Sequence, residues 1–198
     1  MIRVIGRVLV TTCALATALA TPIAAAQRTS VEIYSPWVSG TLARGFTVSA
    51  RVKGLCGLHS LASERADAWR CSSDDDMYDP CFTGSVHKDT LACAQSPFSK
   101  RVTLLTLTKP LTDMKLTGEL WGLRLRGAPW GVRLVSGGTC VVVQGATDVF
   151  EGERLNYACT LRGWIFGVPD HSTAVWTAQT VDWPHHRVTT VRIATATF

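Results

Sequence analysis

Four carboxylates crowd into the stretch Asp74-Asp75-Asp76-Met77-Tyr78-Asp79. Oxygen-rich clusters of this kind suit a hard cation, calcium above all. The spacing is not that of an EF-hand. Counting Asp74 as the first position, the sixth is Asp79 where that loop needs glycine, and the twelfth is Ser85 where it needs a bidentate glutamate. Like charges this close must be screened by a cation or by water. A solvated acidic loop is the favoured reading, and Asp74, Asp75, Asp76 and Asp79 stand as the candidate binding residues.

The remaining reactive side chains form no recognisable constellation. His59, His87, His171, His185 and His186 are the imidazoles, and no His-Glu-x-x-His helix joins them. Neighbouring residues of a strand face opposite ways, so His185-His186 reads as a turn rather than a shared metal site. No Gly-x-Ser-x-Gly elbow is present. Asp170-His171-Ser172 is contiguous, whereas catalytic triads are assembled from separated segments, so a polar loop after Pro169 is the better reading. Glu151 and Glu153 flank Gly152 in a loop, and nothing sets them across a cleft as a glycosidase requires. No catalytic residue, metal ligand or cofactor is assigned on these grounds. Trp37, Trp69, Trp121, Trp130, Trp164, Trp176 and Trp183 suit core packing first and stacking on glycan rings second.

The cysteines say more. The chain starts with Arg3 and Arg7, an apolar run over 8–20 and small residues at Ala24 and Ala26. That is the pattern of a secretory signal peptide over 1–26, with cleavage after Ala26 and a retained anchor as the alternative. The run is broken by Thr11, Thr12 and Thr17 and is short for a bilayer span. Cys13 leaves with it, and Cys56, Cys71, Cys81, Cys93, Cys140 and Cys159 remain. An even set in an exported chain argues for three disulfides, although spacing alone leaves their connectivity open. The preferred pairing joins neighbours: Cys56–Cys71, Cys81–Cys93 and Cys140–Cys159. The alternative crosses the first four, as in Cys56–Cys81 with Cys71–Cys93.

What must position these groups is a set of strands. Period-two patterning and turn residues mark strands over 44–52, 102–107, 120–126, 130–135, 139–144, 156–161, 173–183 and 187–197, and a shorter one near Val31 and Ile33. Ser136-Gly137-Gly138 reads as a hairpin connection that sets Leu134 towards Val141. Imperfect alternation over 187–197 suggests a bulge. The stretch 61–69 (LASERADAW) lacks Gly and Pro and predicts two turns of helix capped by Ser60. Residues 72–80 read as a loop ending in the turn signal Asp79-Pro80. The fold class is therefore mainly β, with antiparallel sheets in a sandwich- or barrel-like arrangement, one short helix and a disulfide-stapled loop region over 56–93. Residues 27–198 read as a single secreted domain, without repeats or linkers. The net charge of +5 over the 198 residues includes two leader arginines, and no basic stripe of the kind nucleic acid needs is visible.

One further signal lies in longer strings. Arg65-Ala66-Asp67-Ala68-Trp69-Arg70-Cys71 and Tyr78-Asp79-Pro80-Cys81-Phe82 resemble a signature of small exported proteins from actinobacteria. Pro129-Trp130, Gly138-Thr139-Cys140, Tyr157-Ala158-Cys159, Gly167-Val168-Pro169-Asp170-His171-Ser172 and Val175-Trp176-Thr177 are similar to later parts of it. The pattern has an aromatic after Cys56, where this chain has Gly57. The resemblance implies export and a cysteine framework and supplies no catalytic residue. The reading is an exported, disulfide-stabilised, non-catalytic module of the cell envelope or extracellular space. Its expected partner is a cell-wall glycan or an extracellular protein, with no nucleic acid and no membrane span once the leader is gone. A secreted hydrolase with an unrecognised site, or a secreted inhibitor, is the alternative.

Overall fold

In the computed structural model, which describes residues 28–84, 86, 88–112, 125, 127–161, 163–182 and 185–198, the chain is all β. The leader over 1–26, most of the strand expected over 120–126, His87, Trp121 and Trp183 lie outside the described residues. No helix among the described residues is long and apolar enough to cross a membrane.

Three short strands come first: β1 (Ser30–Glu32), β2 (Trp37–Val38) and β3 (Thr41–Leu42). A closed barrel follows, built from β4 (Thr47–His59), β5 (Ala68–Ser73), β6 (Asp76–Thr83), β7 (Thr90–Cys93) and β8 (Arg101–Leu107). Strand direction alternates along this meander, so an odd number of strands closes with a parallel pair, β4 on β8. A second ring contains β9 (Gly131–Leu134), β10 (Thr139–Val142), β12 (Glu153–Cys159), β13 (Gly163–Phe166), β14 (Thr177–Asp182) and β15 (Arg187–Thr197). Here the number is even, and the closing pair β15 on β9 is antiparallel. Its register shifts between Ile193 and Thr195, a bulge in the strand whose alternation is imperfect. β11 (Val149–Phe150) lies along β12, and β1 runs parallel to the end of β15.

The start of β4 is exposed, but where β6, β7 and β8 lie side by side both faces of the first barrel's wall are buried. Along β6, β7 and β8, Cys81, Leu91, Cys93 and Leu105 enter one cluster with Cys56 and Cys71. The alternate residues Phe82, Ala92, Val102 and Leu104 enter another, which also contains Trp130, Val132, Tyr157 and Ile193 from the second ring. One continuous core therefore joins the two closed sheets. Tyr34 sits at its centre, edge-on to Phe46 and Trp130 and tilted against Phe82.

Three expectations are corrected. Residues 61–67 make turns rather than a helix, and Trp69 belongs to β5. The Ser60 hydroxyl oxygen does accept the N–H groups of Ala62 and Ser63, as a helix cap does. The winding stops there because the neighbouring polar groups have tertiary partners: Leu61 N–H donates to Asp79, Gly127 N–H donates to Glu64, and Arg65 forks onto Asp67. Local helix preference is too weak to compete with such contacts. Secondly, residues 72–80 are not a loop. β5 and β6 form a tight hairpin through Asp74 and Asp75, and Asp79-Pro80 is a cis step buried within β6. The cysteine-rich stretch is thus the barrel wall itself. Thirdly, the hairpin over 136–138 sets Leu134 opposite Gly138, not Val141, and Val141 pairs with Gly131.

Candidate functional site

One concavity follows from unequal strand lengths. β7 spans only Thr90–Cys93, and its partners are Cys81–Thr83 on β6 and Thr103–Thr106 on β8. β6 starts at Asp76 and β8 at Arg101, so the leading parts of both strands run on without β7 between them. Beyond Cys93 the chain turns away through Ala94 to Ser99, where Pro97 and Phe98 pack against Gly131 of the second ring. A cleft of about 560 Å³ is left, within the size range of ligand sites. Met77, Tyr78 and Asp79 line it from β6 and Arg101 and Thr103 from β8, and Gln95 and Ser96 with Val142 and Gln144 of the second ring complete the lining.

The second ring's contribution is held from behind. Arg154 donates from Nη1 to Asn156 Oδ1 at 2.8 Å, and from Nη2 to the carbonyls of Val143 at 3.1 Å and Gly145 at 2.7 Å. Asn156 Nδ2 in turn donates to Gly167 O at 2.6 Å. The segment around Gln144 is thereby pinned, and Gln144 Nε2 donates to the Asp79 carbonyl. Asp79 lines the cleft through its backbone, because its carboxylate points the other way. There it accepts the Ser60 hydroxyl and, at 3.1 Å, the Leu61 N–H, with Arg70 Nη1 3.7 Å from Oδ2. Burial pushes this carboxyl up to about 6, against the opposing pull of those donors and of Arg70.

The structure separates the four carboxylates. Asp74, Asp75 and Asp76 sit exposed at the β5–β6 hairpin, Asp74 with a φ of 49°, while Asp79 is buried. The Tyr78 hydroxyl reaches Asp76 Oδ2 at 3.5 Å. Among the described residues, no group of three or more His, Cys, Asp or Glu is placed to hold a metal ion.

The other candidates are scattered. His59 stacks on Trp69 with centroids 4.4 Å apart, His185 Nδ1 meets Asp182 Oδ2 at 2.8 Å, and His171 lies beside Trp176. Asp170 accepts the Ser172 N–H at 2.9 Å, which holds its carboxyl below the usual range; the trio is a local turn on the surface. Glu151 and Glu153 flank the turn into β12. Of the described tryptophans, Trp130 is buried and Trp37, Trp69, Trp164 and Trp176 are half-buried. Trp37 is also tied to the barrel, donating from Nε1 to Phe82 O at 2.9 Å.

Cys56 is bonded to Cys71, Cys81 to Cys93 and Cys140 to Cys159. In each case the two residues are direct register partners on adjacent antiparallel strands. Two of the bridges lie in the first barrel's own cluster, where they fill volume as well as cross-link.

The sequence reading passed over Arg101, Gln95, Ser96 and Gln144. Isolated polar residues at strand ends carry no motif, and the cleft they line depends on where β7 stops. Compared with known proteins, the chain matches no family model, no curated protein and no solved structure.

Proposed function

We propose that this chain is an exported, disulfide-stabilised binding module of the cell envelope or extracellular space, contacting its partner through the cleft between the two closed sheets. The observation that carries the reading is the cleft's lining. It presents hydrogen-bonding side chains and backbone from both sheets, and no histidine, free thiol or accessible carboxylate stands there to activate a nucleophile. Such a surface suits recognition, which needs a concave wall with a few convergent polar groups.

Three disulfides in a chain of this length support life in an oxidising compartment, and the leader-like start supports the route there. The resemblance of the strings around Cys71 and Cys81 to exported actinobacterial proteins supports the same reading. The core shared by both sheets supports one domain over 27–198. The partner is a cell-wall glycan or an extracellular protein.

Retention of the exported protein on cell-wall material and on extracellular protein fractions tests this. Gln95→Trp, which fills the cleft from its exposed end, should abolish retention with little change in melting temperature. Turnover in a hydrolase panel, with no retention on either material, overturns the reading.

A further inference from the structure

The cleft is a gap in a barrel wall, and its edges are backbone. In an antiparallel pair, opposite residues alternate between a hydrogen-bonded class and a closer class that turns its peptide groups outward, with Cα atoms about 4.5 Å apart. Cys81 and Cys93 stand 3.9 Å apart, in the closer class. Cys93 therefore turns its peptide groups towards β8, where it faces Thr103. Arg101, two residues back along β8, turns its own groups to that side, into the space that β7 no longer fills. Its N–H donates to Ser99 Oγ at 3.1 Å, and its carbonyl faces the gap.

The opposite edge follows by the same alternation. Cys56 and Cys71 are 4.1 Å apart, so Cys71 turns towards β6 and bonds with Tyr78. Met77, one residue along, turns its N–H and C=O away from β5 and towards the gap. Next on that edge, Asp79 is already occupied by Gln144 and Pro80 by the Ala94 N–H. The open edge is thus the N–H and C=O of Met77 on one side and the carbonyl of Arg101 on the other.

We infer that this gap is a strand-addition site: a short extended peptide bearing a carboxylate lies between the start of β6 and the start of β8, in line with β7. The inference rests on the binding reading above and names its ligand class. Main-chain hydrogen bonds to a sheet edge bind any extended peptide, and side chains at alternate positions select among them. Charge chooses the carboxylate. Arg101 is exposed at the gap's mouth and makes no ion pair among the described residues, and Asp79, the other charged residue of the lining, has its carboxylate turned away. Met77, 53% exposed, offers an apolar contact on the facing edge.

The test screens the exported protein against a phage-displayed heptapeptide library and, in parallel, against neutral and uronic-acid oligosaccharides. The expected result is an acidic peptide whose affinity falls about tenfold or more with Arg101→Gln, the size of one lost charge-assisted contact. N-methylation of its backbone should weaken it at every second residue only. Slowed amide exchange at Met77 should accompany binding. An unchanged melting temperature of Arg101→Gln shows that the fold is intact. A saccharide that binds and is lost with Arg101→Gln, with no peptide selected, overturns the strand and leaves the binding module standing. A peptide indifferent to Arg101→Gln and to N-methylation also overturns it. Binding of neither class sinks both readings together.

Discussion

The ring of Tyr34 stands edge-on to the indole of Trp130, with centroids 5.0 Å apart and planes at 90°. Tyr34 precedes the first barrel and Trp130 opens the second ring, so this contact and the tilted one to Phe82 at 5.3 Å join three parts of the chain at one side chain. Tyr34 is 3% exposed, and its hydroxyl reaches Ser99 O only at 3.4 Å. Its worth is therefore in the ring. Tyr34→Ala should lower unfolding free energy by about 3 to 5 kcal/mol, as for other buried aromatic truncations. Tyr34→Phe should cost about 1 kcal/mol or less, because the hydrogen bond is long. Urea denaturation of the two variants checks the difference.

Asp79 predicts how stability varies with pH. Its carboxyl is pushed up to about 6 by burial, so the folded state holds this proton more tightly than the unfolded chain does. Its contribution to stability is complete below the ordinary carboxylate range near pH 4 and is lost as pH rises through about 6. The fall should be on the order of 3 kcal/mol, at about 1.4 kcal/mol per pKa unit. Asp79→Asn removes the titrating group and should flatten this slope, and it should be less stable than the wild type near pH 4, because its single oxygen replaces the two that accept from Ser60 and Leu61. Urea denaturation of both proteins between about pH 4 and pH 7 measures it. A wild-type curve as flat as that of Asp79→Asn contradicts the assignment.

The bridge between Cys140 and Cys159 joins register partners on β10 and β12 across a sequence separation of 19. Cross-linking a loop of this length restricts the unfolded chain by about 3 kcal/mol in the chain-entropy model. Replacing both cysteines by alanine should lower stability by about that amount. The unfolding slope in guanidinium should rise, because the unlinked chain exposes more surface. Both cysteines of each first-barrel bridge are buried, whereas here only Cys140 is and Cys159 is half-buried, so removal of either first-barrel bridge should cost more than removal of this one.

The second ring was more legible than the first for a physical reason. Its strands bury one side more than the other, as in the alternation of Val132 and Leu134 in and Arg133 and Val135 out, so period two survives in the sequence. In β7 the residues Leu91, Ala92 and Cys93 are all buried, and in β6 the run from Asp79 to Phe82 is too, because clusters cover both faces. A continuously buried strand that contains an aspartate and a proline resembles a turn when only local signals are read. Asp79 was grouped with its acidic neighbours for the same reason; only the pairing of β5 with β6 and the position of Ser60 send it inward. The cleft had no local signature at all, since it arises from the length of β7 relative to β6 and β8.

Gly131 predicts how tightly the two sheets dock. A Cβ at this position would meet Pro97 Cγ at 2.5 Å, Phe98 Cε2 at 3.1 Å and the Cys140 carbonyl at 3.1 Å. The Arg133 guanidinium lies over the Phe98 ring, 5.1 Å from its centroid, so Phe98 is held from its other side as well. Gly131→Ala should therefore cost about 1 to 3 kcal/mol through overpacking. Gly137 supplies the contrast: it needs glycine for its φ of 98° and has nothing within 4 Å of a Cβ. Asparagine tolerates positive φ better than other side chains, so Gly137→Asn should cost less than Gly137→Ala, whereas Gly131→Asn should be worse than Gly131→Ala. Truncating the obstructing ring gives the sharper check. Pro97→Ala opens the space that the new methyl needs, so the double variant with Gly131→Ala should be more stable than the sum of the single losses implies, by about 0.5 kcal/mol or more. Strict additivity in that cycle would show that Gly131 is needed for something other than the approach of Pro97.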